Sequence, residues 1–102
     1  MQYLWINYIV HEEDDPTESY VELDDGSLER RRIDIYDNGM SFAYGGVFGG
    51  ESILSKTPYP DPVHTLNRVG ELEVTGISAR DFEIIWGRMQ ERPTGFLEAS
   101  FF

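Results

Sequence analysis

Residues 19–44, SYVELDDGSLERRRIDIYDNGMSFAY, decide the fold. Two runs rich in β-branched and aromatic residues flank Asp25-Gly26, and a third follows Asn38-Gly39. Asp-Gly and Asn-Gly between such runs are the strongest short hairpin signals, because both residues tolerate the positive φ of a tight turn. The stretch therefore predicts three consecutive antiparallel strands at about 19–24, 28–36 and from 40 on. Val21 and Leu23 point inward on the first. A two-residue turn at Asn38-Gly39 sets Ile35 opposite Phe42 and Ile33 opposite Tyr44, with Met40 on the same face. Cross-strand pairs of this kind hold a sheet together. The register of the first hairpin stays open, because its simplest pairing puts Glu22 opposite Glu29.

Upstream, residues 3–11 (YLWINYIVH) are apolar on both alternating faces: Leu4, Ile6, Tyr8 and Val10 on one, Tyr3, Trp5 and Ile9 on the other. A strand apolar on both faces is covered on both and lies inside a sheet. Downstream, 45–50 (GGVFGG) reads as a flexible loop and Ser52–Leu54 as a short strand. Residues 57–62 (TPYPDP) are punctuation, 63–68 a helical turn, and 71–75 a strand with Leu72 and Val74 inward. The clearest helix is 79–90. Ser78 stands at its N-cap with Asp81 three residues on, and Phe82, Ile85, Trp86 and Met89 form one apolar stripe. Pro93 and Gly95 end it. The expected architecture is α+β: a twisted, mainly antiparallel sheet of five or six strands with one C-terminal amphipathic helix on one face. Residues 1–92 form a single domain, and 93–102 an aromatic tail.

The chain has 102 residues and no cysteine, with 8 basic residues against 19 acidic for a net charge of −11. One core of this size leaves little room for an enclosed active site. The charge disfavours nucleic acid, whose binding needs clustered Lys and Arg, and anionic membranes. It complements a basic protein, although excess acid also simply keeps a small domain soluble. Absent cysteines suit a reducing cytosol. The apolar run at 1–10 lacks a basic leader and a cleavage site, so a cytoplasmic location and no signal peptide are expected.

Searches for chemistry fail one by one. Gly45 to Ser52 approaches a phosphate loop, but Glu51 stands where Lys is needed. Asp34 to Gly39 resembles the start of a calcium loop, but Tyr36 occupies a ligand position and Gly45 the closing Glu position. His11 and His64 have no companions with metal-ligand spacing. No Ser or Thr sits in a nucleophile elbow. Arg30-Arg31-Arg32 alternates across a strand, so it offers ion-pair partners to neighbouring acids rather than a basic patch. No catalytic residue, cofactor or metal is expected. The candidate partner-binding residues are Glu12, Glu13, Asp14, Asp15 and Glu18 in the 12–18 loop (EEDDPTE), joined by Asp24 and Asp25 at a turn taken to be nearby. The plainer reading of each is a solvated loop acid.

Several motifs recur in order: Trp5 with His11, Tyr20-Val-Glu-Leu-Asp24, Arg31-Arg-Ile-Asp-Ile-Tyr-Asp-Asn-Gly39, Phe42-Ala-Tyr44, Pro58-Tyr-Pro60, and Ile77-Ser-Ala-Arg-Asp-Phe-Glu-Ile-Ile-Trp86. Over residues 3–90 the chain resembles a family of small acidic bacterial proteins known mainly as an uncharacterised domain. It departs from the family pattern at Val63–Arg68 and beyond Gln90. The resemblance implies an α+β fold and no activity. By analogy with other small acidic bacterial domains it favours an immunity protein. The leading expectation is thus a non-catalytic, cytosolic immunity-type or inhibitor protein that neutralises a basic partner through acidic loops. The alternative is a regulatory interaction module using the Gly-rich loop and tail, with Phe48, Phe96, Phe101 and Phe102 as anchors. A DNA mimic and a small hydrolase are lesser alternatives.

Overall fold

The structure, a computed structural model, describes residues 1–91. The tail assigned to 93–102, with its three phenylalanines, lies outside the described residues. Five strands form one open sheet: β1 (Gln2–Tyr8), β2 (Glu18–Leu23), β3 (Glu29–Ile35), β4 (Ser41–Tyr44) and β5 (Leu72–Gly76). Their order is β4-β3-β2-β1-β5, and every neighbouring pair is antiparallel. Helix α1 (Ala79–Glu91) follows β5. The α+β expectation holds. No helix among the described residues is long and apolar enough to cross a membrane.

Both hairpins turn through three residues rather than two. The Tyr36 amide donates to the Met40 carbonyl and the Gly39 amide to the Tyr36 carbonyl, with Gly39 at φ 88°. A type I turn closed by one left-handed residue gives this pattern. The extra loop residue shifts the register by one: Ile35 faces Ser41 and Ile33 faces Ala43, while Phe42 and Tyr44 face Asp34 and Arg32. The expected Ile35–Phe42 and Ile33–Tyr44 pairs are corrected accordingly. The β2–β3 turn repeats the geometry. The Ser27 amide donates to the Asp24 carbonyl, and the positive φ (65°) falls on Ser27 rather than Gly26. The Asp24 side chain accepts from the Gly26 and Leu28 amides. A bulge at Glu22/Leu23 then sets Glu22 opposite Arg31, which removes the expected clash with Glu29.

The sheet is covered on both faces, as the two-sided pattern of β1 requires. On one face α1 lays Phe82, Trp86 and Met89 against Ile33, with Tyr3, Tyr20 and Ile85 around them. Ser78 caps the helix through Oγ to the Asp81 amide at 3.0 Å. On the other face Leu4, Ile6, Val21 and Leu23 are buried beneath Tyr59 and Val63 of the long return from β4 to β5. Each such aliphatic side chain contributes about 1.5–3 kcal/mol on burial. The return begins at Gly45, where a Cβ would overlap the Arg30 carbonyl. It continues through 3-10 turns at Gly46–Phe48, Glu51–Ile53 and Val63–Leu66. The turn expected near 63–68 is present. The strand expected at Ser52–Leu54 is a 3-10 turn instead: the Ile53 and Leu54 amides donate to the Gly50 and Glu51 carbonyls, so they bond within the segment rather than to a neighbouring strand.

Candidate functional site

The acidic connection between β1 and β2 stands at one end of the sheet. Glu12, Glu13, Asp14 and Asp15 are all exposed. Their turn is closed by the Asp15 amide on the Glu12 carbonyl at 3.1 Å and the Glu12 amide on Asp15 Oδ2 at 3.3 Å. Two other connections reach this end. Thr17 donates its amide to Ile35, which brings in the 37–39 turn with Asp37, and Ile9 and Val10 donate to the Glu71 carbonyl. None of the ion pairs among the described residues uses Glu12, Glu13, Asp14 or Asp15.

Three of the residues grouped with them separate from this cluster. Glu18 is a β2 residue whose Oε1 accepts from the Trp5 indole at 2.8 Å. Asp24 and Asp25 sit past the far end of β2, about 20 Å or more from Glu18 at about 3.3 Å per residue. Asp24 holds its own turn, and Asp25 faces the Met1 amino group at 2.9 Å. The turn taken as a neighbour of the acidic loop is therefore at the opposite end of the sheet. Antiparallel connectivity dictates this, because consecutive turns alternate ends.

Behind the acidic loop lies an open pocket of about 290 Å³. Tyr8, Val10 and Pro16 line it with apolar surface, His11 and Asp15 stand exposed at its edge, and Arg32 and Asp34 reach it from β3. Asp34 is only 6% exposed. A relay supports it: the Tyr8 hydroxyl donates to Ser19 Oγ at 3.1 Å, and the Ser19 hydroxyl donates to Asp34 Oδ1 at 2.6 Å. The buried Arg32 Nε lies 3.2 Å from that same Oδ1 without hydrogen-bond alignment. No hydrogen bond among the described residues engages Asp34 Oδ2. Burial pushes the Asp34 carboxyl above the usual carboxylate range, against the Ser19 bond and Arg32.

Arg32 is committed elsewhere. Its Nη1 donates to Glu29 Oε1 at 2.8 Å, and its guanidinium lies over the Tyr44 ring at 5.5 Å. Glu29 also accepts from the Ser55 amide at 2.7 Å and from the Tyr59 hydroxyl, so it anchors the return segment to the sheet. Burial and then the Glu29 bond push the Tyr59 hydroxyl far up. On the helix face Arg31 forms a second hub. It pairs bidentately with Glu22 (2.7 and 2.8 Å) and with Glu83 (3.0 and 2.7 Å), and stacks 4.9 Å from both Phe82 and Trp86. Arg31 and Arg32 of the run thus supply ion-pair partners to neighbouring acids. Glu22, Glu29 and Asp34 are enclosed in these pairs, whereas Glu83 is half exposed.

The failed motifs are ordinary structure. Gly45–Gly50 opens the return segment, and Asp34 to Gly39 is strand and hairpin. His64 sits exposed on the 63–66 turn, away from the pocket. Among the described residues no three His, Cys, Asp or Glu side chains converge as a metal site.

A family model described as Domain of unknown function (DUF6881) matches residues 2–91. The chain belongs to that family. Neither the curated proteins nor the solved structures contain a match. The match spans the whole sheet and helix, so it includes the acidic loop, the pocket and both arginine hubs.

Sequence reasoning missed Arg32 and Asp34 as site residues. The signal was present: Ile33 and Ile35 face the helix, so Arg32 and Asp34 face the other way. The two-sided apolar pattern of β1 shows that this second face is covered too. Charges aimed at a covered face must be paired, and they mark a built polar site.

Proposed function

We propose that this is a cytosolic, non-catalytic protein-binding domain of the immunity or inhibitor type, which engages a basic protein through the acidic end of its sheet. The observation that carries the reading is the exposed Glu12-Glu13-Asp14-Asp15 turn without an ion-pair partner among the described residues. Uncompensated surface charge of one sign attracts an oppositely charged partner over about a Debye length and accelerates encounter. A net charge of −11 extends that field over the whole molecule.

The test uses the full chain as bait in its host and then measures association kinetics with the captured basic protein. Replacing all four acids by their amides lowers the association rate about tenfold and flattens its salt dependence. Association indifferent to both changes sinks the reading, as does turnover of a substrate without any protein partner.

A second reading has one observation in its favour. Val47 and Ile53 are 73% and 51% exposed, and Phe48, next to Val47 in the chain, packs edge-on against Trp86. An apolar patch on the glycine-rich return would suit a regulatory interaction module. Polar substitutions at Val47 and Ile53 that abolish capture, while the acid-to-amide variant retains it, would favour that module.

A further inference from the structure

We infer that the pocket behind the acidic loop is a lysine-binding subsite, which accepts the side chain of one lysine from a basic partner. The inference rests on the partner-binding reading and deepens it. The acidic turn alone offers only diffuse attraction. The pocket adds a shaped receptor with a buried acceptor.

Three features match the chemistry of a lysine side chain. Asp34, buried and lining the pocket, uses Oδ1 for Ser19 and Arg32 and leaves Oδ2 without a hydrogen bond among the described residues. Among the described residues the one buried side-chain nitrogen or oxygen without a hydrogen-bond partner is Arg32 Nε, so Asp34 Oδ2 is open to the pocket, where an ammonium supplies both proton and charge. Asp15 at the edge adds a second carboxylate, and the Tyr8 oxygen, which donates its proton to Ser19, keeps lone pairs for a third contact. Val10, Pro16 and the Tyr8 ring supply apolar surface for the methylene stem, which lysines bury while the charged head seeks acceptors.

Charge decides against an anion. Arg32 is shared by Glu29 at 2.8 Å and Asp34 at 3.2 Å, so these three groups keep one net negative charge. Asp15 adds a second in the lining, with Glu12, Glu13 and Asp14 adjoining in the loop. The compact ammonium of lysine suits a small pocket whose floor is already occupied by one planar guanidinium.

The experiment follows the backbone amides of the full chain by two-dimensional NMR during titration with acetyl-Gly-Lys-Gly-amide. A second titration uses the same peptide with the lysine ε-amine acetylated. The expected result is saturable shifts at residues 8–15 and 32–34 with the lysine peptide. Affinity should be about tenfold weaker for the acetylated peptide, for Asp15→Asn and for a folded Asp34→Asn, since each removes one charge-assisted contact. Equal binding of both peptides overturns the subsite. So do shifts confined to residues 12–15 that persist unchanged in Asp34→Asn, a result that leaves the acidic-surface reading standing. If pocket amides shift as expected but amide replacement of Glu12, Glu13 and Asp14 leaves partner association unchanged, the subsite holds and the surface reading falls.

Discussion

Ser27 carries the left-handed conformation that closes the β2–β3 turn, at φ 65°. A side chain in that region costs about 1–2 kcal/mol, whereas glycine adopts it freely. The equivalent position of the next hairpin is Gly39. Ser27 contributes its backbone carbonyl to the Tyr59 amide at 2.9 Å, a bond that any residue can make. Ser27→Gly should therefore stabilise the domain by about 0.5–1 kcal/mol after the added freedom of the unfolded chain is subtracted. Equilibrium denaturation measures it, and an equal or lower stability would show that the turn is not strained there. Asp34 is the other residue whose environment departs from its chemistry. A carboxyl held high by burial favours its protonated form, so its contribution to stability is unfavourable at neutral pH and is relieved as pH falls.

The helix is tied to the sheet by more than its apolar stripe. Arg31 of β3 reaches between Glu22 of β2 and Glu83 of α1 and covers the aromatic faces of Phe82 and Trp86. The Arg31 bonds hold the Glu22 carboxyl below the usual carboxylate range despite its burial. The folded state then binds a proton at Glu22 less readily than the unfolded chain does. The stabilisation is fully present above the unfolded carboxylate pKa and is lost as pH falls through the depressed folded value. Glu22→Gln should cost about 2 kcal/mol at neutral pH, with the difference from wild type shrinking below about pH 4. Paired denaturation curves across pH check this. A difference that is constant with pH would show that packing, not the ion pair, is responsible.

For the whole molecule, the charges divide into two populations. Arg31 and Arg32 consume Glu22, Glu29, Asp34 and Glu83 in partly or fully enclosed pairs. The loop and turn acids remain outside and repel one another across a body of only 38 × 28 × 25 Å. Enclosed pairs are weakly screened by salt and exposed repulsion strongly. Raising sodium chloride from about 20 to about 300 mM should therefore raise the melting temperature by a few degrees, as self-repulsion of the folded state is screened. A melting temperature that falls with salt would mean that attractive pairs dominate the surface.

Local chemistry made the fold readable. Turn residues, two-sided apolar strands, a Ser78 cap and a 3-4-3 stripe each act over a few residues, so β1, β2, β3, β5 and α1 follow from the sequence. The faces of β1, β2, β3, β5 and α1 follow for the same reason, because side-chain period is a property of the backbone, whereas the three-residue turn carries Phe42 and Tyr44 of β4 to the face of Arg32 and Asp34. The loop length at 37–39 did not follow, since two and three residues both satisfy Asn38-Gly39 and only the Tyr36–Met40 pairing selects between them. Nor did the site. The sequence by itself marked Glu12 to Asp15 as uncompensated charge, because no cation adjoins them in the chain. Only the tertiary structure separated Asp24 and Asp25 from that end, engaged Glu18 with Trp5, and placed Arg32 and Asp34 behind the loop. Antiparallel strands bring distant residues together by register, and register depends on turns whose geometry is decided only when the whole sheet pairs.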